Sequence, residues 1–161
     1  MPCQRVRAIL SVGGWTGSGY FSSAVATDAN RSAFAKAIMD VVSQYNLDGV
    51  EFECALHSII HIFGCSQIHS WEYPGKPGIG CNVASANDST NFLSFLQTLR
   101  GQDGAQNLIL SAAVAVTPFV GSDGTPMSDV SGFAKVLDYI GTLSPTFLFY
   151  SPLSNDITQR S

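Results

Sequence analysis

Glu51 and Glu53 stand two residues apart in Leu47-Asp48-Gly49-Val50-Glu51-Phe52-Glu53. From Val50 on, apolar and acidic residues alternate, and strand side chains alternate faces, so both carboxylates point the same way. Neighbouring carboxylates repel, and each makes the other's proton harder to lose. A row of this kind costs stability unless its protons are used, and paired carboxyl groups carry the acid/base work of glycosidic-bond cleavage. Trp71-Glu72-Tyr73-Pro74 supplies another acid, flanked by two aromatic residues.

Short elements must hold these residues. Val6 to Val12 is an apolar run ended by Gly13-Gly14, which reads as a buried strand. Asp28 and Asn30 are candidate caps for a helix reaching Tyr45, with Phe34, Ile38, Val41 and Tyr45 as its apolar stripe. The acidic strand follows. Residues 71–87 form a loop containing Gly and Pro. Asp88 to Arg100 is the next helix, with Phe92, Phe95, Leu96 and Leu99 on one face and Gly101 as its stop. Leu108 to Val116 is a further apolar strand. Ser128 or Asp129 caps a helix with Val130, Phe133, Ala134 and Leu137 inward, and Tyr139-Ile140 begins one more strand. Alternating strands and helices mean βα units around a parallel sheet, and continuous apolar strands imply that both sheet faces are covered. A flavodoxin-like sheet and a piece of a (β/α)₈ barrel both fit.

Read across residues 54–70, the two acidic segments give D-G-x-E-x-E followed by W-E-Y-P. This resembles the strand-four signature D-G-x-D-x-D-x-E of glycoside hydrolase family 18, the chitinase-type enzymes. Ser11-Val12-Gly13-Gly14-Trp15 resembles the same family's strand-three S-x-G-G motif. The resemblance covers residues 6–53 and 71–140. It implies an α/β fold that is a fragment of a (β/α)₈ TIM barrel, about strands three to six, since a whole barrel takes about 250 residues. It implies hydrolysis of β-1,4-linked N-acetylglucosamine polymers, with chitin or its oligosaccharides as partner, no cofactor, and an extracellular setting. In the family's mechanism the substrate's own acetamido oxygen attacks the anomeric carbon. Carried over, Glu72 matches the general acid. Glu53 sits where an Asp orients the acetamido group, Glu51 at the preceding Asp, and Asp48 begins the strand. Gly14, Trp15, Trp71 and Tyr73 are the candidate substrate contacts.

The sequence departs from the family where the chemistry lies. Two residues after Glu53 stands Ala55, and Glu72 arrives only beyond residues 54–70. That intervening segment has no Asp, Glu, Lys or Arg, yet holds His57, His61 and His69, all the histidines of the chain, together with Cys54 and Cys65. One reading is a metal site on a helix face, although the Cys spacing matches no zinc pattern, and no metal is assigned. A second is an inserted loop, unusually apolar for one. A third is a translated intron. Glu53-Cys54 can be encoded GAG-TGY, which contains a GT donor, and Ser70 can be encoded AGY, which begins with an AG acceptor. Excision between them preserves the frame and rejoins codon 53 as GAY, which encodes only Asp. The product would read Asp-Gly-Val-Glu-Phe-Asp-Trp-Glu-Tyr-Pro, with the family's Asp restored before Trp-Glu. The tail, residues 141–161, diverges from the family's M-x-Y-D strand and admits a weaker form of the same explanation.

The chain's 161 residues suffice for one domain with a core. The apolar fraction of 45% and charged fraction of 12% describe a globular protein. With a net charge of −4 and only 8 unclustered Lys and Arg, neither nucleic acid nor an anionic membrane is an expected partner. No apolar run is long enough to span a bilayer. The segment from Met1 to Arg7 has no signal-peptide pattern.

Overall fold

A computed structural model describes residues 6–53, 74–75, 83–114, 119–143 and 148–152. The element order is β1 (Ile9–Gly13), α1 (Gly14–Gly17), α2 (Phe21–Val25), α3 (Asp28–Tyr45), β2 (Gly49–Glu53), α4 (Asp88–Arg100), a 3₁₀ turn (Ala105–Asn107), β3 (Ile109–Val114), α5 (Ser131–Ala134), β4 (Tyr139–Leu143) and β5 (Leu148–Pro152). The strands form one sheet in the order β1-β2-β3-β4-β5. β1 to β4 are parallel, each beside its successor, and β5 returns antiparallel along β4. The parallel α/β expectation therefore holds for the first four strands. β5 has no counterpart among the sequence expectations.

Residues aligned across a parallel sheet share a face. One face carries Val50 and Phe52, Leu110, Ala112 and Val114, with Leu10, Val12 and Ile140 packed alongside. Against it lie Phe21 and Val25 of α2, Ala35, Ile38 and Val42 of α3, the apolar face of α4, and Phe133. Aromatic rings knit these layers. Phe52 meets Phe92 and Phe95 edge-on at 5.8 and 5.4 Å, and Phe34 stacks on Phe95 at 4.8 Å. The described helices thus share one sheet face. A flavodoxin-like sheet instead has helices on both faces. The opposite face is small and polar: Ser11, Gly13, Glu51, Glu53, Ser111 and Ala113. On it Ser111 and Ala113 are buried, Gly13, Glu51 and Glu53 half-buried and Ser11 exposed, and none of the described helices packs there.

Local details adjust the sequence reading. Thr27, not Asp28 or Asn30, caps α3: its backbone is extended and its Oγ1 accepts the Asn30 amide at 3.2 Å. The inward stripe of α3 runs through Ala35, Ile38 and Val42, leaving Tyr45 64% exposed. Phe34 and Ile38 of the expected stripe do face the core, with Ala35 and Val42 beside them, and Asn46 ends the helix in a left-handed conformation just before β2. Asp88 is fully buried at the start of α4, where it accepts Ser22 Oγ at 2.7 Å and the Ser85 amide at 2.8 Å. That pair fastens α2 to α4. α5 is a single turn. Asp129 Oδ1 accepts the Ser131 amide at 2.8 Å, which holds its carboxyl below the usual carboxylate range, and Val130 faces solvent rather than the core.

Two aspartates brace the N-terminal ends of the strands in the same way. Asp48 Oδ2 accepts the Ala8 amide at 2.9 Å while the Asp48 amide donates to the Ala8 carbonyl at 2.7 Å. Asp138 repeats this on Leu110, with both distances at 2.8 Å, and Arg100 Nη2 adds an ion pair to its carboxylate. Each carboxylate thereby extends the ladder by one hydrogen bond ahead of the first residue of its strand.

Candidate active site

β2 is paired on both sides, by β1 and by β3, so the positions of its side chains are fixed by two ladders. Ser11, Glu51, Ser111 and Tyr139 align in one row across the sheet, and Gly13, Glu53, Ala113 and Gly141 in the next. Both rows lie on the face away from the helices. Glu51 and Glu53 are half-buried there, and Glu53 is the last residue of β2. Strands β1 to β4 run parallel, so Glu53 stands at the sheet's C-terminal edge, where loops can carry chemistry.

The neighbours of Glu53 are small because they must be. Gly13 has φ +113°, and a Cβ there would meet the Glu53 carbonyl oxygen at 2.6 Å and the Phe21 ring at 2.8 Å. Gly14 has φ +74°, and a Cβ on it would sit 3.8 Å from Glu53 Oε2. The double glycine thus turns the chain sharply beside the carboxylate. Ser11 Oγ donates to Glu53 Oε2 over a long 3.5 Å. The arrangement is a column of two half-buried carboxylates, flanked by hydroxyls and opened by glycines, on the sheet face away from the described helices. It can hold and relay protons for a ligand lying across the C-terminal ends of the strands.

The structure brings together Glu51, Glu53 and Gly14. Asp48 lies at the other end of β2, occupied with the Ala8 amide. Trp15 falls within α1. Glu72, Trp71 and Tyr73 lie outside the described residues, as do the three histidines. The sequence names Ser11 only as the first residue of the S-x-G-G motif, and Ser111 is not singled out in it. The period-two rule places Ser11, two residues before Gly13, on the same face. Ser111 becomes visible only through the register, which sets it beside Glu51.

The comparisons agree with this geometry. The family model of glycosyl hydrolases family 18 matches residues 3–158. A "chitinase-like effector" of Moniliophthora roreri is 44% identical over 135 residues, covering 84% of this chain and 28% of that protein. Chitinase A1 of Niallia circulans is 28% identical over 144 residues, covering 88% of this chain and 18% of that protein. The crystal structure of a chitinase from Rhizomucor miehei superposes with a TM-score of 0.67 at 32% identity, covering 83% of this chain and 32% of that one. The chain thus spans less than a third of the length of these relatives. A consecutive, singly covered parallel sheet, a carboxylate column at the end of its second strand and a match running almost end to end lead to one assignment: the chain belongs to glycosyl hydrolases family 18.

Proposed function

We propose that the chain is a segment of a chitinase-type glycosidase acting on chitin or N-acetylglucosamine oligosaccharides outside the cell, and that residues 54–70 interrupt its catalytic motif. The observation that carries this reading is the placement of Glu51 and Glu53 in one column, ending at the C-terminal edge of β2 beside Gly14. Strand order and single-faced helix packing support a fragment of a (β/α)₈ barrel comprising about its third to sixth strands. In this reading the substrate's acetamido oxygen is the nucleophile. Glu72 is the general acid that protonates the leaving oxygen. Glu53 orients the acetamido group, and Glu51 tunes the charge of Glu53. Gly14, Trp15, Trp71 and Tyr73 border the sugar. Asp48 braces β1 to β2 and takes no part in the chemistry.

The chain as it stands does not complete that site. Two residues after Glu53 the sequence has Ala55, where the family's motif has its Glu. Glu53 is also one methylene longer than an aspartate, and misplacement by about 1 Å can cost on the order of 10²-fold in rate. The purified 161-residue chain is therefore expected to release no fluorophore from a fluorogenic chitobioside. The full-length counterpart with Asp-Trp-Glu rejoined is expected to do so readily. Turnover by the 161-residue chain would refute the proposed interruption, and inactivity of the rejoined enzyme would refute the assigned roles.

A second reading has its own support. The relative at 44% identity is named a chitinase-like effector rather than a chitinase. On that reading the chain belongs to an oligosaccharide-binding member of the family that performs no turnover. Oligosaccharide binding by a rejoined enzyme without product release would favour it.

A further inference from the structure

We propose that Asn87 accepts an N-linked oligosaccharide, a modification site outside the carboxylate column. This rests on the extracellular setting proposed above, since such transfer belongs to the secretory route. Asn87-Asp88-Ser89 is an N-x-S tripeptide whose middle residue is not proline, the pattern that marks an acceptor. It lies beyond residues 54–70, so it stands whether or not that segment is removed.

Such tripeptides also arise by chance, so the use of each residue matters. Asn87 is the N-cap of α4, where an asparagine ordinarily accepts an amide of the first turn. Here its side chain makes no capping bond. Its neighbours hold the start of the helix instead. Asp88 Oδ2 accepts the Ser85 amide at 2.8 Å, and Ser85 Oγ accepts the Asn87 amide at 3.3 Å. Asp88 and Ser89 are buried, while Asn87 is exposed. The fold thus takes in two residues of the tripeptide and leaves the acceptor in solvent without a capping task. The turn before it borders an open groove lined by small residues, among them Ala84, Ser85, Ala86, Gly121 and Ser122, so a first sugar has room. α4 packs on the sheet face opposite Glu51 and Glu53, which leaves the carboxylates clear.

Asn30-Arg31-Ser32 has the same pattern but a different local use. Asn30 lies in the first turn of α3, and its Nδ2 donates to the Ser23 carbonyl at 2.9 Å. That nitrogen is engaged in joining α3 to α2.

In the transfer, Asn87 Nδ2 bonds to C1 of the first sugar of a lipid diphosphate-linked oligosaccharide. The bond from C1 to the diphosphate oxygen breaks, the lipid diphosphate departs, and Nδ2 gives one proton to a base of the transferase. The third residue's hydroxyl is part of the pattern recognised. In the folded chain Ser89 Oγ donates to the Val120 carbonyl at 2.7 Å and is buried. Transfer therefore precedes the docking of α4.

The test is production of the 161-residue chain behind a cleavable secretory leader in yeast, with Asn30→Gln throughout so that one such tripeptide remains. Peptide N-glycosidase leaves aspartate where a glycosylated asparagine stood. Peptide mass spectrometry should therefore read aspartate at position 87 after that treatment, and the intact chain should lose mass. Asn87→Gln and Ser89→Ala should abolish the loss, and Ser89→Thr, which keeps a hydroxyl, should restore it. Cell extract is read together with medium, so a variant that is retained in the cell still reports. Unmodified Asn87 in the leader-directed chain would overturn the acceptor site and leave the glycosidase reading standing. Modification there, with none in the protein from its own cells, would overturn the extracellular setting and the modification with it.

Discussion

In the proposed full-length enzyme with Asp-Trp-Glu rejoined, Glu72→Gln is expected to lower kcat on chitin oligosaccharides by about 10²- to 10⁴-fold, the range for a lost general acid. KM changes little, because the amide keeps the size and hydrogen bonding of the carboxyl and ground-state binding is preserved. The loss depends on the leaving group. A sugar alcohol needs a proton to depart, whereas an aryl leaving group needs far less help. The same variant should therefore retain much more activity on an aryl chitobioside than on chitohexaose. Equal losses on both substrates would place Glu72 elsewhere than on the leaving oxygen. The prediction discriminates because Glu51 and Glu53, on the sheet face, are proposed to have a different task. Their substitution should depress both substrates alike, since orienting the acetamido group precedes departure of either leaving group.

The second large effect is on stability. Gly13→Ala is expected to destabilise the chain by about 3 kcal/mol or more, combining a strained backbone with a core clash. At φ +113° an alanine is strained in any surroundings, and here its methyl would press on the Glu53 carbonyl and the Phe21 ring. Relieving the clash moves either β2 or the α1–α2 turn, and both border the carboxylates. Thermal or urea unfolding measures the loss, which corresponds to roughly 10 °C in Tm for a domain of this size. Gly17→Ala is the matched control. Gly17 lies in α1, and nothing stands within 4 Å of the added methyl. It should be neutral or slightly stabilising, as alanine is better than glycine in a helix. Similar losses for the two variants would show that the packing around Gly13 is not the determining feature.

Much of the arrangement is legible in the chain itself. Alternation in Val50 to Glu53 sets both acids on one face, and the double glycine after Ser11 marks a close approach; the structure has both. The run from Asp88 to Arg100 states its helix and its buried face without ambiguity. Other features depend on partners that lie far off in sequence. Asp48 reads as the acid that begins the strand, and the Ala8 amide shows how it serves the ladder at that end. Thr27 surpasses Asp28 as a cap because of its extended backbone, which composition does not state. β5 forms on Leu148-Phe149-Tyr150, a run with no strand among the sequence expectations, and its antiparallel return depends on the neighbouring β4. The row joining Ser11, Glu51, Ser111 and Tyr139 is a product of register, and register belongs to the sheet rather than to any one strand.

The proposed interruption by residues 54–70 separates a working acid column into two parts, and sequencing the transcript across codons 45–80 tests this. Most message is expected to lack the bases between the GA of codon 53 and the last base of codon 70, so that it reads Asp-Trp-Glu. Message that carries the segment uniformly, or a gene without GT and AG at those codons, would contradict it.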